Sequence, residues 1–191
     1  LAAAGFGKLK PLRFKSIKGD FKSPKSFSID KDVFSKGLVP SISSRYFKNL
    51  KNSKSPKWMY QRLEAIGQRS ISALVDITNY IMIDLSRPLH AYDANKIIGN
   101  KLLIRFANNS EKIKTLNEKT YELTTEDLVI SDSIGADDLA GIMGGERTGV
   151  SDQTTEMLLE VAIFDPISIS NTGRRLNILS DARYRFERGL D

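Results

Sequence analysis

The sequence predicts an α+β fold, with mixed and antiparallel β-sheets packed by separate helices. Three observations lead there. Short apolar runs of strand length crowd the stretch from residue 102 to residue 164. Turn signals separate them, among them Asn117-Glu-Lys119 and Gly144-Gly145. Helical patterns stand before and after this stretch instead of alternating with it, which argues against a doubly wound sheet.

The helices come first. Over 56–66, Met59, Leu63 and Ile66 share one face; Ser55 suits the cap, Pro56 the first helical position and Gly67 the exit. A second helix is predicted over 72–85, with Ser72 as cap, a stripe of Leu74, Ile77, Ile81 and Leu85, and Pro88 as a stop. Strands are predicted at Leu102–Phe106, Ile113–Leu116, Thr120–Leu123, Leu128–Ser131, Leu139–Met143 and Glu156–Phe164. Asp165-Pro166 caps and opens a further helix, and Ser180 or Asp181 opens the last. Residues 1–44, rich in Lys, Ser, Gly and Pro, read as a connector in which two short strands are possible. The compact domain is expected to span 45–191.

Composition narrows the chemistry. A chain of 191 residues with 40% hydrophobic and 27% charged residues has room for one sizeable soluble core. No run of 18 apolar residues occurs, so no membrane span is expected. The first residues lack the form of a signal peptide, and the missing initiator Met leads us to expect a segment of a longer, cytoplasmic protein. With no cysteine and one histidine, disulfides, thiolate nucleophiles and tightly held zinc are not expected, so no metal is assigned. Catalysis would rest on hydroxyls, carboxylates, backbone amides or the single His90. Charge is uneven: residues 1–57 carry a net +11 and residues 58–191 a net −5. The basic arm suits either a polyanion or solvent.

Four segments place polar groups and glycines beside apolar elements. Val75-Asp-Ile-Thr-Asn-Tyr80 puts three mediocre helix formers inside a helix, either to tie it to its neighbours or to serve a site. Arg87-Pro-Leu-His-Ala-Tyr-Asp93 carries the histidine, a residue type that titrates near neutral pH and so suits a structural or a catalytic role. Ala140-Gly-Ile-Met-Gly-Gly-Glu146 lets the chain turn or a ligand approach the backbone, and it matches neither a dinucleotide fingerprint nor a phosphate loop. In Leu158-Leu-Glu-Val-Ala-Ile-Phe164, alternation puts Glu160 on the face of Leu158 and Ala162, so a carboxylate points into apolar surroundings and must be paired, hydrogen-bonded or neutral.

In this order the segments resemble the editing domain of the beta subunit of bacterial phenylalanyl-tRNA synthetase. Further matching words are Ser-Pro-Lys-Trp-Met (55–59), Gly-Gln-Arg-Ser-Ile (67–71) and Arg-Tyr-Arg-Phe-Glu-Arg-Gly-Leu-Asp (183–191), and residues 1–11 resemble the stretch leaving the small tRNA-binding-like module that precedes this domain. The resemblance implies hydrolysis of tyrosine wrongly attached to phenylalanine tRNA. It implies a pocket in which Thr78, Asn79 and His90 position water. Glu160 would recognise the tyrosine hydroxyl, and Arg69, Gly141, Gly144, Gly145, Ser180 and Ala182 would help bind the substrate. The family has Thr-Asp-Ala where this chain has Ser180-Asp181-Ala182, so the hydroxyl is kept and one methyl lost. The implied partners are the acceptor end of tRNA(Phe) and a synthetase alpha subunit in an α2β2 heterotetramer. ATP and Mg are implied only for a complete synthetase, with no cofactor in this segment.

The physics fits this assignment. A merely apolar pocket rejects an added hydroxyl only about a hundredfold. A second site that demands the hydroxyl does better, because a buried acceptor left unpaired is costly. An ionised Glu160 is the expected acceptor. No base relay behind His90 is visible in the sequence. Two other readings stay open: a non-catalytic tRNA-binding module holding RNA by the basic arm and Arg174-Arg175, and a structural spacer within the heterotetramer.

Overall fold

A computed structural model of the chain describes residues 2–11 and 14–190. Leu1 and Asp191, which end two of the matching words, and Leu12 and Arg13 of the basic arm lie outside them. The elements follow in the order β1 (Ser26–Ile29), α1 (Lys31–Ser35), β2 (Ser41–Phe47), α2 (Lys57–Ala65), α3 (Ala73–Leu85), β3 (His90–Asp93), β4 (Lys101–Phe106), β5 (Lys112–Lys114), β6 (Thr120–Glu122), β7 (Leu128–Ser131), β8 (Ala136–Leu139), β9 (Met157–Ile163), α4 (Pro166–Arg175) and α5 (Asp181–Phe186).

Strand β9 is the centre of a three-stranded antiparallel sheet, with β2 on one edge and β3 on the other. Leu158, Glu160 and Ala162 are all buried, as their alternation requires. The register sets His90 of β3 directly opposite Glu160. A second sheet runs β1-β4-β7-β8, parallel at β1–β4 and antiparallel elsewhere, and β5 and β6 form a hairpin. One core joins the two larger sheets to the C-terminal helices. Tyr92 and Leu158 from the first sheet, Leu102, Ile104 and Val129 from the second, and Ile169 of α4 are essentially inaccessible to solvent. Each such side chain contributes roughly 1.5–3 kcal/mol through burial.

The helix ends obey local chemistry. The carboxylate of Asp165 accepts from Ser168 N at the start of α4, where Pro166 takes the first position. Ser180 Oγ accepts from Arg183 N at the start of α5. Ser55 and Ser72 do not cap with their side chains. Pro56 is the N-cap of α2, and the Ser55 hydroxyl donates to Asp76 instead.

Three expectations about organisation change. The packed body begins before residue 45: β1 pairs with β4, Val33 of α1 is fully buried, and β2 starts at Ser41. Two short strands were possible in this stretch, but β1's partner lies some seventy residues on, so only the fold reveals the pairing. The strand expected at Leu139–Met143 falls at Ala136–Leu139. Beyond it Gly141, at φ 68°, lets the chain double back, and Leu139 and Met143 bond each other across a tight loop. His90–Asp93, within a word given no strand, is β3.

Candidate active site

The two sheets and α5 line a small cavity of about 70 Å³ that opens to solvent. Its walls are mostly apolar, with Ile130, Ala162, Phe164, Ala182 and Phe186 among them. Its polar end is built by Glu160 from β9, His90 from β3 and Asp138 from β8. The loop after β8, from Ala140 to Gly144, closes one side.

The polar end holds two carboxyl groups in little water. Glu160 and Asp138 are 5% and 3% exposed. The fully buried Tyr92 hydroxyl donates to Glu160 Oε2 at 2.8 Å. Burial, with the negative charge of Asp138 in second place, pushes the Glu160 carboxyl up to about 8 despite the Tyr92 hydrogen bond. At neutral pH Glu160 is therefore mainly a neutral acid, able to donate as well as accept. This corrects the expectation of an ionised acceptor. Burial and the same two carboxyl groups hold the Tyr92 hydroxyl well above its usual range. The Tyr92 ring meets the His90 imidazole edge-on, with centroids 4.5 Å apart.

The glycines of the following turn are required by close packing. A Cβ on Gly141 would come within 2.8 Å of the Phe164 ring and 2.9 Å of Ile169. One on Gly145 would overlap the backbone of Asp137 at 1.7 Å. The Gly145 N–H donates to Asp138 Oδ1 at 2.6 Å, so this amide, a candidate for holding substrate, is already engaged.

The structure brings together His90, Glu160, Gly141, Gly144 and Ala182 of the residues singled out in the sequence. The others stand off the cavity lining. Thr78 donates its hydroxyl to Val75 O at 2.7 Å, one turn back on α3, and Asn79 is half-buried on the same helix. Arg69 is exposed on the loop before α3. Ser180 donates to Ile142 O at 2.6 Å while capping α5, which pins the glycine turn to that helix. In the α3 word, the fully buried Asp76 has a structural role: it accepts from Ser55 Oγ, Ser70 Oγ and Ile71 N.

Asp138 and Tyr92 were missed. Tyr92 lay inside a quoted word without a role. Asp137-Asp138 in a run leading into Leu139-Ala140 was the available signal, since two adjacent acids beside an apolar strand need a reason. Their fates differ. Asp137 faces Arg147 and Asp132 on the other side of β8, where burial, and then the charge of Asp138, raise its carboxyl to about 7. The alternative use of Arg174-Arg175 for RNA also changes, because Arg175 is paired to the buried Asp127 that Thr172 also bonds.

Comparison with known proteins agrees with this architecture. Residues 38–191 match the family model of the B3/4 domain. The chain is 49% identical over all its 191 residues to the phenylalanine–tRNA ligase beta subunit of Cereibacter sphaeroides, and 47% identical to that of Mesorhizobium japonicum. It covers 24% and 23% of those proteins, so it spans about a quarter of the length of the curated relatives it matches. A crystal structure of an N-terminal fragment of the phenylalanyl-tRNA synthetase beta subunit from Pyrococcus horikoshii shares the fold. Its TM-score is 0.51 at 16% identity, covering 91% of this chain and 54% of that one. The chain therefore belongs to the B3/4 domain family, and its likeness within that family is to the corresponding stretch of phenylalanine–tRNA ligase beta subunits.

Proposed function

We propose that this domain edits: it hydrolyses the ester of tyrosine mischarged onto tRNA(Phe), within the beta subunit of a phenylalanine–tRNA ligase that works with an alpha subunit. The observation that carries the reading is the cavity itself, an apolar slot holding the buried carboxyl groups of Glu160 and Asp138, with the partly exposed His90 on its wall. An aromatic side chain suits the apolar walls, and a hydroxyl on it can pair with the carboxyl groups of Glu160 and Asp138, of which Asp138 Oδ2 is otherwise without a partner among the described residues. Leaving a buried polar group unpaired costs about 1–3 kcal/mol, which disfavours phenylalanyl esters. In the reaction the oxygen of a water adds to the ester carbon while His90 takes its proton. The tetrahedral oxyanion then collapses, the ribose oxygen departs and receives that proton, and tyrosine and uncharged tRNA remain.

Because Thr78 and Asn79 stand off the cavity lining, His90 is the principal residue for water activation in this proposal. The test is deacylation of Tyr-tRNA(Phe) and Phe-tRNA(Phe) by a ligase containing this domain, wild type and His90→Ala. Editing predicts rapid loss of tyrosine only, and its suppression by the substitution. Equal, slow loss of both esters with tight tRNA binding would favour a non-catalytic RNA-binding module instead.

A further inference from the structure

Asp138 stands where a base relay would stand. Its Oδ1, anchored by the Gly145 N–H at 2.6 Å, lies 3.6 Å from His90 Nε2. Both His90 Nε2 and Asp138 Oδ2 are enclosed, and among the described residues neither has a hydrogen-bond partner of good geometry, although the Tyr92 hydroxyl also lies near Asp138. A lone pair on an enclosed Nε2 would set two acceptors face to face in little water, whereas a proton there meets the carboxylate.

We infer that Asp138 is a positioning residue that holds His90 in its Nε2–H tautomer, leaving the ring's lone pair on Nδ1 as the proton acceptor. The His90 side chain is 25% exposed although its Nε2 corner is enclosed, so the solvent-facing part of the group lies elsewhere than the Asp138 side. The ring has little freedom to turn. The Gly144 backbone packs on one side of it, and Tyr92 meets it edge-on. The titratable groups facing it are Asp138 from β8, Tyr92 on its own strand and Glu160 directly opposite on β9. At 3.6 Å the contact is an ion-pair contact, and a movement of about 0.7 Å turns it into a hydrogen bond. Contacts of this kind commonly tighten when substrate binds. The role in catalysis rests on the editing reading: Nδ1 takes the proton of the attacking water and returns it to the departing ribose oxygen. The tautomer itself does not depend on that reading.

The chain has a single histidine, so proton–nitrogen NMR of the imidazole reports on His90 without ambiguity. Wild-type protein is expected to show neutral His90 as the Nε2–H form alone. Asp138→Ala is expected to give a mixture with a clear Nδ1–H share. In the ligase, Asp138→Ala should slow Tyr-tRNA deacylation about 10- to 100-fold, part of the roughly 10²–10⁴ that a positioned base supplies. In a His90→Ala background it should cause no further loss, because the two act as one unit. A merely structural Asp138 would add its loss to that of His90→Ala. An Nδ1–H form in the wild type, a tautomer ratio indifferent to Asp138→Ala, or additive losses would overturn the inference. If Asp138→Ala does not fold, the wild-type spectrum still decides, and the near-isosteric Asp138→Asn replaces it in the rate comparison. If the wild type shows the expected tautomer but no deacylation, the editing reading fails and the positioning role stands.

Discussion

Gly144 and His90 are packed backbone against ring: a Cβ at position 144 would lie 2.3 Å from His90 Cε1 and 3.0 Å from Nε2. The glycine of the turn and the histidine of β3 are thus one unit, although more than fifty residues separate them. Gly144→Ala must displace the imidazole from its present place beside Asp138. The expected result is a stability loss of about 1–3 kcal/mol, as for other overpacked sites, together with a large drop in Tyr-tRNA deacylation. Thermal melts and deacylation rates on one preparation check both, and unchanged deacylation would refute the coupling.

Glu160 should discriminate tyrosine from phenylalanine mainly as a neutral acid. A neutral hydrogen bond is worth about 0.5–1.5 kcal/mol and an unpaired buried group costs about 1–3 kcal/mol. Glu160→Ala should therefore cut tyrosine selectivity by roughly 2- to 150-fold, and on the editing reading it should leave aminoacylation by the ligase nearly intact. Measuring both activities on the same variant decides whether the loss is specific.

The raised Glu160 carboxyl also makes a stability prediction. Below pH 4.5 the group is protonated in both the folded and the unfolded chain, so it contributes nothing to pH dependence. Between about 4.5 and 8 the unfolded chain loses the proton and the folded one keeps it, so stability falls as pH rises, and the full penalty stands above 8. Glu160→Gln removes this ionisation. Its melting temperature should gain on that of the wild type as the pH is raised from 5 to 9. Parallel melting curves across that range would sink the prediction.

Ala182 of α5 lines the cavity beside Phe186. Ala182→Trp should fill the ring's place and abolish Tyr-tRNA deacylation, while costing about 1–3 kcal/mol of stability if the ring must be forced into the wall. A cooperative melt combined with unimpaired deacylation would show that the amino acid does not bind here.

Asp76 tests the structural reading of the α3 word. Its carboxylate ties Ser55, Ser70 and the Ile71 amide to the first turn of α3. Asp76→Ala leaves these donors without their acceptor and should cost about 2–4 kcal/mol, seen in denaturant melts. Per folded molecule, deacylation should persist, because Asp76 is absent from the cavity lining.

Much of this molecule was already legible in its sequence. Met59 and Leu63 read correctly as the buried face of α2, and Asp165-Pro166 as a helix start, because periodicity and capping act within a few residues. Strand β7 falls where its unbroken apolar run puts it. Glu160 announced itself by alternation with Leu158 and Ala162, and the ordered words identified the family. Pairing that spans the chain was decided only by the tertiary structure. β1 is a strand because β4 offers it an edge, and Asp138 matters because β8 is set beside His90 and Glu160 across two sheets. Local pattern gave His90 its residue type and its strand neighbours, but its carboxylate partner, its tight glycine wall and the neutral state of Glu160 come from burial and proximity. Those depend on distances between residues far apart in sequence, and no local period encodes them.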